Sequence, residues 1–265
     1  MKPIITVDIE TYSPQDIAKV GAYRYAQDPD FQILLLGYAN ENSDTPRVLD
    51  LTSWPDTKHF LREQLPWLLD ASYTKRAHNA AFEWWCLSEA MGLDWAQRVL
   101  WLQQWECSMV HALYCGLPAQ LGALGAALKQ PEDALKMKEG KALIAYFCKP
   151  CKPTKRNGGR TRNLPQHDPD KWRLFCKYNG MDVIAERAND RKLAPWPVPE
   201  EIMQQWREDV EMNARGVAVD MALVKGALAC SALITEEQTA ECKALTGLAN
   251  PAAVPSCWAG STTGA

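Results

Sequence analysis

No stretch of this 265-residue chain comes near the ~20 consecutive apolar residues that cross a bilayer, and runs such as Ile33 to Leu36 exclude a spanning helix by their shortness. A secretory leader is missing too: Met1-Lys2-Pro3-Ile4-Ile5-Thr6-Val7 is followed at once by Asp8 and Glu10, so the apolar run is short and acidic behind. The expectation is a cytoplasmic protein with no membrane partner. The dense cysteine framework of a small secreted domain is also absent, because the nine cysteines are odd in number and scattered from Cys86 to Cys257. Most of them read as reduced, buried thiols. Cys148-Lys149-Pro150-Cys151 has no second C-x-x-C pair, although His167 and Cys176 follow, so a closed four-ligand zinc site is not the preferred reading. Finally, charge of one sign is not in excess: 29 Lys and Arg against 32 Asp and Glu leave a net charge of −3. Spread evenly, that would argue against a nucleic-acid binder.

The charge is not spread evenly. Between Lys149 and Arg162 lie six basic residues, Lys149, Lys152, Lys155, Arg156, Arg160 and Arg162, with no acid, two prolines and Gly158-Gly159. This reads as a flexible cationic loop, and taken alone as a solvated charge run. The balance of 47% apolar and 23% charged residues is that of a globular protein, long enough for one large domain or one domain and part of another.

The pattern along the chain predicts an α/β domain. Ile4 to Ile9 is a β-branched strand broken by Ser13-Pro14, Gln32 to Tyr38 a second, and Arg47 to Leu51 a third after the turn at Asn42-Ser43-Asp44, together an antiparallel meander. Helical periodicity begins after Pro55, with Phe60, Leu61, Leu65, Leu68 and Leu69 on one face. Tyr73 to His78 is a fourth strand and Ala80 to Met91 a helix. Further helices are predicted at Met109 to Cys115, Gln120 to Leu128, Ala142 to Phe147 and Asp170 to Leu193. Pro195-Trp196-Pro197-Val198-Pro199 makes a stiff linker and the expected boundary. Beyond it Glu200 to Ala214 and Met221 to Leu245 are helical, and residues 251–265, rich in Ala, Pro, Ser, Gly and Thr, are expected to be disordered.

The chemistry lies in acidic side chains. Asp8-Ile9-Glu10 places two carboxylates on one face of a buried strand, where they repel each other unless a cation is present. His78-Asn79-Ala80-Ala81-Phe82-Glu83 puts an amide at the end of a strand and a third carboxylate in the first turn of the following helix, where the helix dipole also favours it. Tyr178-Asn179-Gly180-Met181-Asp182 puts a phenol and a fourth carboxylate at i and i+4, on one helix face. Four clustered carboxylates form a hard-oxygen site suited to two Mg²⁺ or Mn²⁺ ions.

In these motifs the chain resembles the DEDD-type 3′→5′ exonucleases of the ribonuclease H-like fold, in the subgroup with tyrosine in the third motif. D-I-E-T at Asp8 to Thr11 is similar to their first motif, N-x-x-x-E at Asn79 to Glu83 to the second, and Y-x-x-x-D at Tyr178 to Asp182 to the third. The resemblance points in particular to the proofreading domain of family A DNA polymerases of phages and prophages. Asn213-Ala214-Arg215-Gly216-Val217-Ala218-Val219-Asp220 resembles the segment that opens their polymerase region. The second motif departs from the usual pattern, since Glu83 stands where aspartate is common.

The resemblance implies a mixed five-stranded sheet flanked by helices in an exonuclease domain over residues 1–195, followed by a partial helical segment at 200–250 that begins a thumb-like polymerase region. It implies a DNA-hydrolysing enzyme releasing nucleoside 5′-monophosphates from a single-stranded or frayed 3′ end, without polymerase activity in this chain. Asp8 would bridge two cations, Glu10 and Asp182 would bind the water-activating one, and Glu83 would help place the other. Tyr178 would orient the attacking water, Thr11 and Asn79 would contact the terminal nucleotide, and the basic loop would hold DNA. A 3′→5′ RNA exonuclease shares all the carboxylates, and a catalytically weak DNA-binding fragment is a further alternative. The eleven tryptophans, among them Trp84, Trp85, Trp101 and Trp105, are expected to be chiefly core residues.

Overall fold

Five strands form one mixed sheet in the order β3-β2-β1-β4-β5: β1 (Ile4–Tyr12), β2 (Gln32–Asn40), β3 (Arg47–Asp50), β4 (Thr74–Ala77) and β5 (Trp105–Cys107). The structure is a computed structural model and describes residues 2–41, 43, 45–131, 137 and 139–253. Asn42 and Asp44 of the expected turn, and 254–265 of the tail expected to be disordered, lie outside those residues. β1 pairs antiparallel with β2, and β2 with β3, whereas β1–β4 and β4–β5 are parallel. Parallel neighbours need crossovers, and α2 (Thr57–Glu63) and α3 (Ala81–Met91) with α4 (Trp95–Leu102) supply them.

The fold is thus an α/β, ribonuclease H-like arrangement; the sequence reading does not predict α4, nor two further elements. The first is α1 (Ile17–Ala26), which separates β1 from β2 where a short connection was expected. Asp16 caps it, but Gly21 at φ 76° interrupts its helical backbone, so no sustained apolar period marks it. The other is β5, only three residues long, too short for alternation to declare itself. The sheet's two faces differ sharply. Odd residues Ile5, Val7 and Ile9 enter the main core with Ala77, Trp84, Trp101 and Trp105, all nearly inaccessible. The opposite face of β1 carries Thr6, Asp8, Glu10 and Tyr12, toward α8 (Pro169–Leu193).

Between β5 and α8 run α5 (Ser108–Tyr114), α6 (Leu121–Ala127) and α7 (Gly140–Phe147). The chain divides into two compact units, residues 1–214 and 215–265. The division therefore falls beyond the Pro195–Pro199 segment. Most of α9 (Glu200–Arg215) joins the first unit, because Met203, Arg207 and Val210 are buried and the Arg207 Nε donates to the Trp105 carbonyl at 3.1 Å. The second unit holds α10 (Met221–Thr246), capped by the Asp220 side chain, which accepts from the backbone N–H of Ala222 and Leu223. Among its described residues none is buried, and Leu223, Leu228, Leu233 and Leu245 are widely exposed. No helix among the described residues is long and apolar enough to cross a membrane.

Candidate metal-binding site

β1 and α8 build the site between them. Asp8 lies opposite Gly37 of β2, and a Cβ on that glycine would come within 2.5 Å of the Asn179 Oδ1. The missing side chain leaves the place that Asn179 fills. From there its Nδ2 donates to the Asp8 Oδ2 at 2.6 Å and the Asp8 carbonyl at 3.3 Å, fixing the carboxylate. The register with β2 then shifts: Glu10 opposes Leu35 but Thr11 opposes Ile33. Such a bulge re-aims the side chains around it. The Cys148 thiol donates to the Glu10 Oε2 at 3.8 Å. On α8, Tyr178, Asp182 and Glu186 follow one another at four-residue intervals, so all three face the sheet and are buried.

Asp8, Glu10 and Asp182 converge. Each offers an oxygen within 4.8 Å of the other two, and no other group of three or more His, Cys, Asp or Glu side chains is so placed among the described residues. These three carboxylates, with only oxygen donors, could hold a hard divalent cation. Glu83 is not in that set. It lies in the first turn of α3, is buried, and feels Asp8, Glu186 and Glu10, so burial first and these charges next push its pKa well above the usual carboxylate range. Its Oε2 has no hydrogen-bond partner. Of the four carboxylates expected, the structure therefore brings three together and sets Glu83 beside them.

Tyr178 stacks on Phe175 with the rings 7° from parallel, and burial, then Asp182 and Glu10, raise its pKa, so it remains a phenol. A Cβ on Gly140 would intrude on the Tyr178 ring, so the start of α7 must be bare for the ring to sit as it does. The Thr11 hydroxyl is hydrogen-bonded to the Tyr25 hydroxyl at 3.0 Å. Both line a cavity of about 380 Å³ beside Glu10, with Phe82, Ile144 and Lys149 among its walls. Asn79 is exposed at the turn between β4 and α3, with φ 71°, a left-handed conformation that asparagine tolerates better than most residues.

The basic loop is braced rather than free. Asn157 Nδ2 donates to the Lys152 carbonyl at 2.9 Å, Asn163 Nδ2 to the Tyr146 carbonyl at 3.0 Å, and Cys151 N–H to the Thr161 carbonyl at 2.7 Å. Arg160 donates to Asn163, and Arg162 lies over the Tyr12 ring while donating to Gln32, so these two cations are engaged within the fold. Lys149, Lys152, Lys155 and Arg156 are exposed. The Cys148 and Cys151 sulfurs turn to different partners, Glu10 and the Arg160 carbonyl.

Two residues of the site escaped the sequence reading. Asn179 sits inside the third motif but carries no signal of its own; only the register of β1 with Gly37 reveals its role. Glu186 could have been found, since it lies four residues beyond Asp182 on the same helix face. Burial, outweighing a hydrogen bond from the Ser108 hydroxyl and helped by Asp8, raises its pKa to about 8. Its Oε1 has no partner. Ser108 is itself hydrogen-bonded to His78 Nδ1 at 3.0 Å, and the His78 Nε2 meets the Ala119 carbonyl at 2.7 Å.

Fold and site together define an α/β protein of ribonuclease H-like architecture with an acidic, potentially cation-holding cluster on one sheet face. No protein-family model matches the chain. It is 43% identical over 247 residues to the DNA polymerase of Bacillus phage SP02, an alignment covering 93% of this chain and 36% of that polymerase. The chain thus spans about a third of the length of the curated relative it matches.

Proposed function

We propose that the chain is a metal-dependent 3′→5′ exonuclease of the proofreading type, hydrolysing DNA from a single-stranded or frayed 3′ end to nucleoside 5′-monophosphates. The convergence of Asp8, Glu10 and Asp182 under a buried tyrosine is the observation that carries this reading. The similarity to a phage DNA polymerase supports DNA as the nucleic acid. The donor set fits Mg²⁺ or Mn²⁺: it is all carboxylate oxygen, partly buried, and costly to assemble unless cations neutralise it. Asp8, Glu10 and Asp182 would hold one ion, and Asp8 with Glu83 would help place a second. Bound there, the ions would lower the pKa of the attacking water and stabilise charge on the leaving 3′ oxygen.

The chain's own residues do the positioning. Asn179 holds Asp8 in one rotamer. Tyr178, kept as a phenol by its surroundings beside Asp182 and Glu10, would hydrogen-bond the attacking water. The cavity beside Glu10, walled by Thr11 and Phe82, would take the terminal nucleotide, with Asn79 at the strand end available to it. Lys149 at its rim and the exposed Lys152, Lys155 and Arg156 would attract the phosphodiester backbone. The test is a 3′- or 5′-labelled single-stranded oligonucleotide incubated with Mg²⁺ or Mn²⁺. Stepwise shortening from the 3′ end with release of 5′-mononucleotides, abolished by EDTA and in Asp8→Ala, is expected. An intact oligonucleotide with either ion would overturn the proposal, and faster cleavage of a matched RNA would reassign the substrate.

A further inference from the structure

We propose that Glu186 is a fifth acidic residue of this site, a positioning residue that helps hold the second cation, the one beside Asp8 and Glu83. This rests on the metal-dependent reading above and extends it to a residue outside the three motifs.

Asp8 has four other carboxylates in its surroundings. It shares the tight set with Glu10 and Asp182. Beyond that set are two further carboxylates, Glu83 from α3 and Glu186 from α8, both close enough for Asp8 to act on them electrostatically, as Glu186 does on Glu83. Both are almost wholly inaccessible, with exposures of 5% and 2%. Each also presents one oxygen, Glu83 Oε2 and Glu186 Oε1, that no donor satisfies. Buried polar atoms are normally paired, so an orphaned oxygen on each of two neighbouring carboxylates calls for a positive partner.

The protein's own cations do not provide it. Arg76 is the nearby guanidinium, but its hydrogen bonds go to Glu106, at 2.5 Å and 3.1 Å, and to Asp190. It reaches Glu186 only as a field. The Ser108 hydroxyl is hydrogen-bonded to Glu186, yet the Glu186 Oε1 has no partner. Asp8, Glu83 and Glu186 do not form a second tight set, so a cation beside Asp8 would meet Glu186 through its water shell and still supply the missing counter-charge. It would also explain how a longer glutamate serves at position 83: two long carboxylates from different helices approach one ion from two sides.

The experiment reads cation binding without DNA, so it separates this inference from the exonuclease reading. Mn²⁺ is titrated into the full 265-residue chain and into Glu186→Gln and Glu186→Asp, by calorimetry and by the electron paramagnetic resonance signal of free Mn²⁺. The wild type is expected to show two binding steps. In Glu186→Gln the tighter should remain and the weaker should lose about 10–100-fold in affinity, whereas Glu186→Asp, which keeps the charge, should fall between. In EDTA, Glu186→Gln should melt no lower than the wild type, because it removes a carboxyl that burial and Asp8 both disfavour as an anion. Its gain in melting temperature on adding Mn²⁺ should be smaller. Unaltered Mn²⁺ binding in Glu186→Gln would overturn the proposal. So would a lower melting temperature or failure to fold in EDTA, either of which would make Glu186 a counter-charge for Arg76. Altered Mn²⁺ binding in a protein that never cleaves DNA would sustain this inference and sink the exonuclease reading instead.

Discussion

Among the site's side chains, Tyr178 and Glu83 stand outside the tight carboxylate set, and substitution can test the role proposed for each. The Tyr178 hydroxyl belongs to a ring locked between Phe175 and the start of α7, so replacing it with phenylalanine removes one hydrogen bond and little else. Tyr178→Phe should lose about 10²–10⁴-fold in kcat, the range of a positioned acid–base group, while Mn²⁺ affinity measured by calorimetry stays at the wild-type value. Loss of Mn²⁺ affinity would mean that the phenol contacts the ion. Glu83 lies outside the tight carboxylate set yet beside it, so its charge should matter more than its reach. Glu83→Asp is expected to keep substantial cleavage, and Glu83→Gln to lose most of it and need more Mg²⁺ for the remainder. Wild-type kinetics in Glu83→Gln would leave Glu83 as only a helix-start carboxylate.

Two elements, α7 and α8, hold Tyr178 in place, and each can be tested through its packing. Gly140 opens α7 where the Tyr178 ring edge occupies the space of a Cβ. Gly140→Ala should destabilise the fold by about 1–3 kcal/mol as an overpacked position and should lower kcat with it, since the ring must shift. A denaturant melt alongside turnover checks both. α8 sets its acidic residues against a face of the sheet that carries Asp8, Arg76 and Glu106 beside the apolar Tyr12, Leu35 and Val48. Its Glu186 carboxyl, raised by burial, keeps its proton in the folded chain up to about pH 8, whereas the unfolded chain releases it near pH 4.5. Across that window the folded state binds more protons than the unfolded, so stability contributed by this group falls as pH rises and is level above about pH 8. In EDTA the melting temperature should decline from pH 5 to pH 8, and less so in Glu186→Gln. An equal slope in both proteins would assign the decline to other groups.

For the molecule as a whole, a net charge of −3 conceals a separation of charge: an acidic cleft between β1 and α8, and a basic loop over residues 149–162. Arg160 and Arg162 are tied into the fold, so the cations free to meet a phosphate backbone are the exposed Lys149, Lys152, Lys155 and Arg156. Replacing those four with alanine should weaken binding of single-stranded DNA and flatten its dependence on salt, each lost phosphate contact reducing the slope by about 0.7 for a single strand. Turnover at saturating DNA should change little. A salt slope equal to that of the wild type would return the loop to a solvated charge run.

The sequence by itself determined the elements with long periods and the residues with strong chemistry. The helices from Ala81 to Thr246 that show apolar repeats, the strand bearing Asp8 and Glu10, and the core tryptophans were legible because burial selects residue types at regular spacing. α1, α4 and β5 were not: α1 is interrupted at Gly21, α4 has eight residues and β5 three, so none sustains a long period. Only the tertiary structure decided what meets what. That Gly37 makes room for Asn179, that Gly140 makes room for Tyr178, that Glu83 stands apart from the other three carboxylates, and that Glu186 joins their surroundings are facts of strand register and helix placement. They depend on contacts between residues as far apart as Asp8 and Asn179, which leave no local pattern because each partner is ordinary in its own stretch of chain.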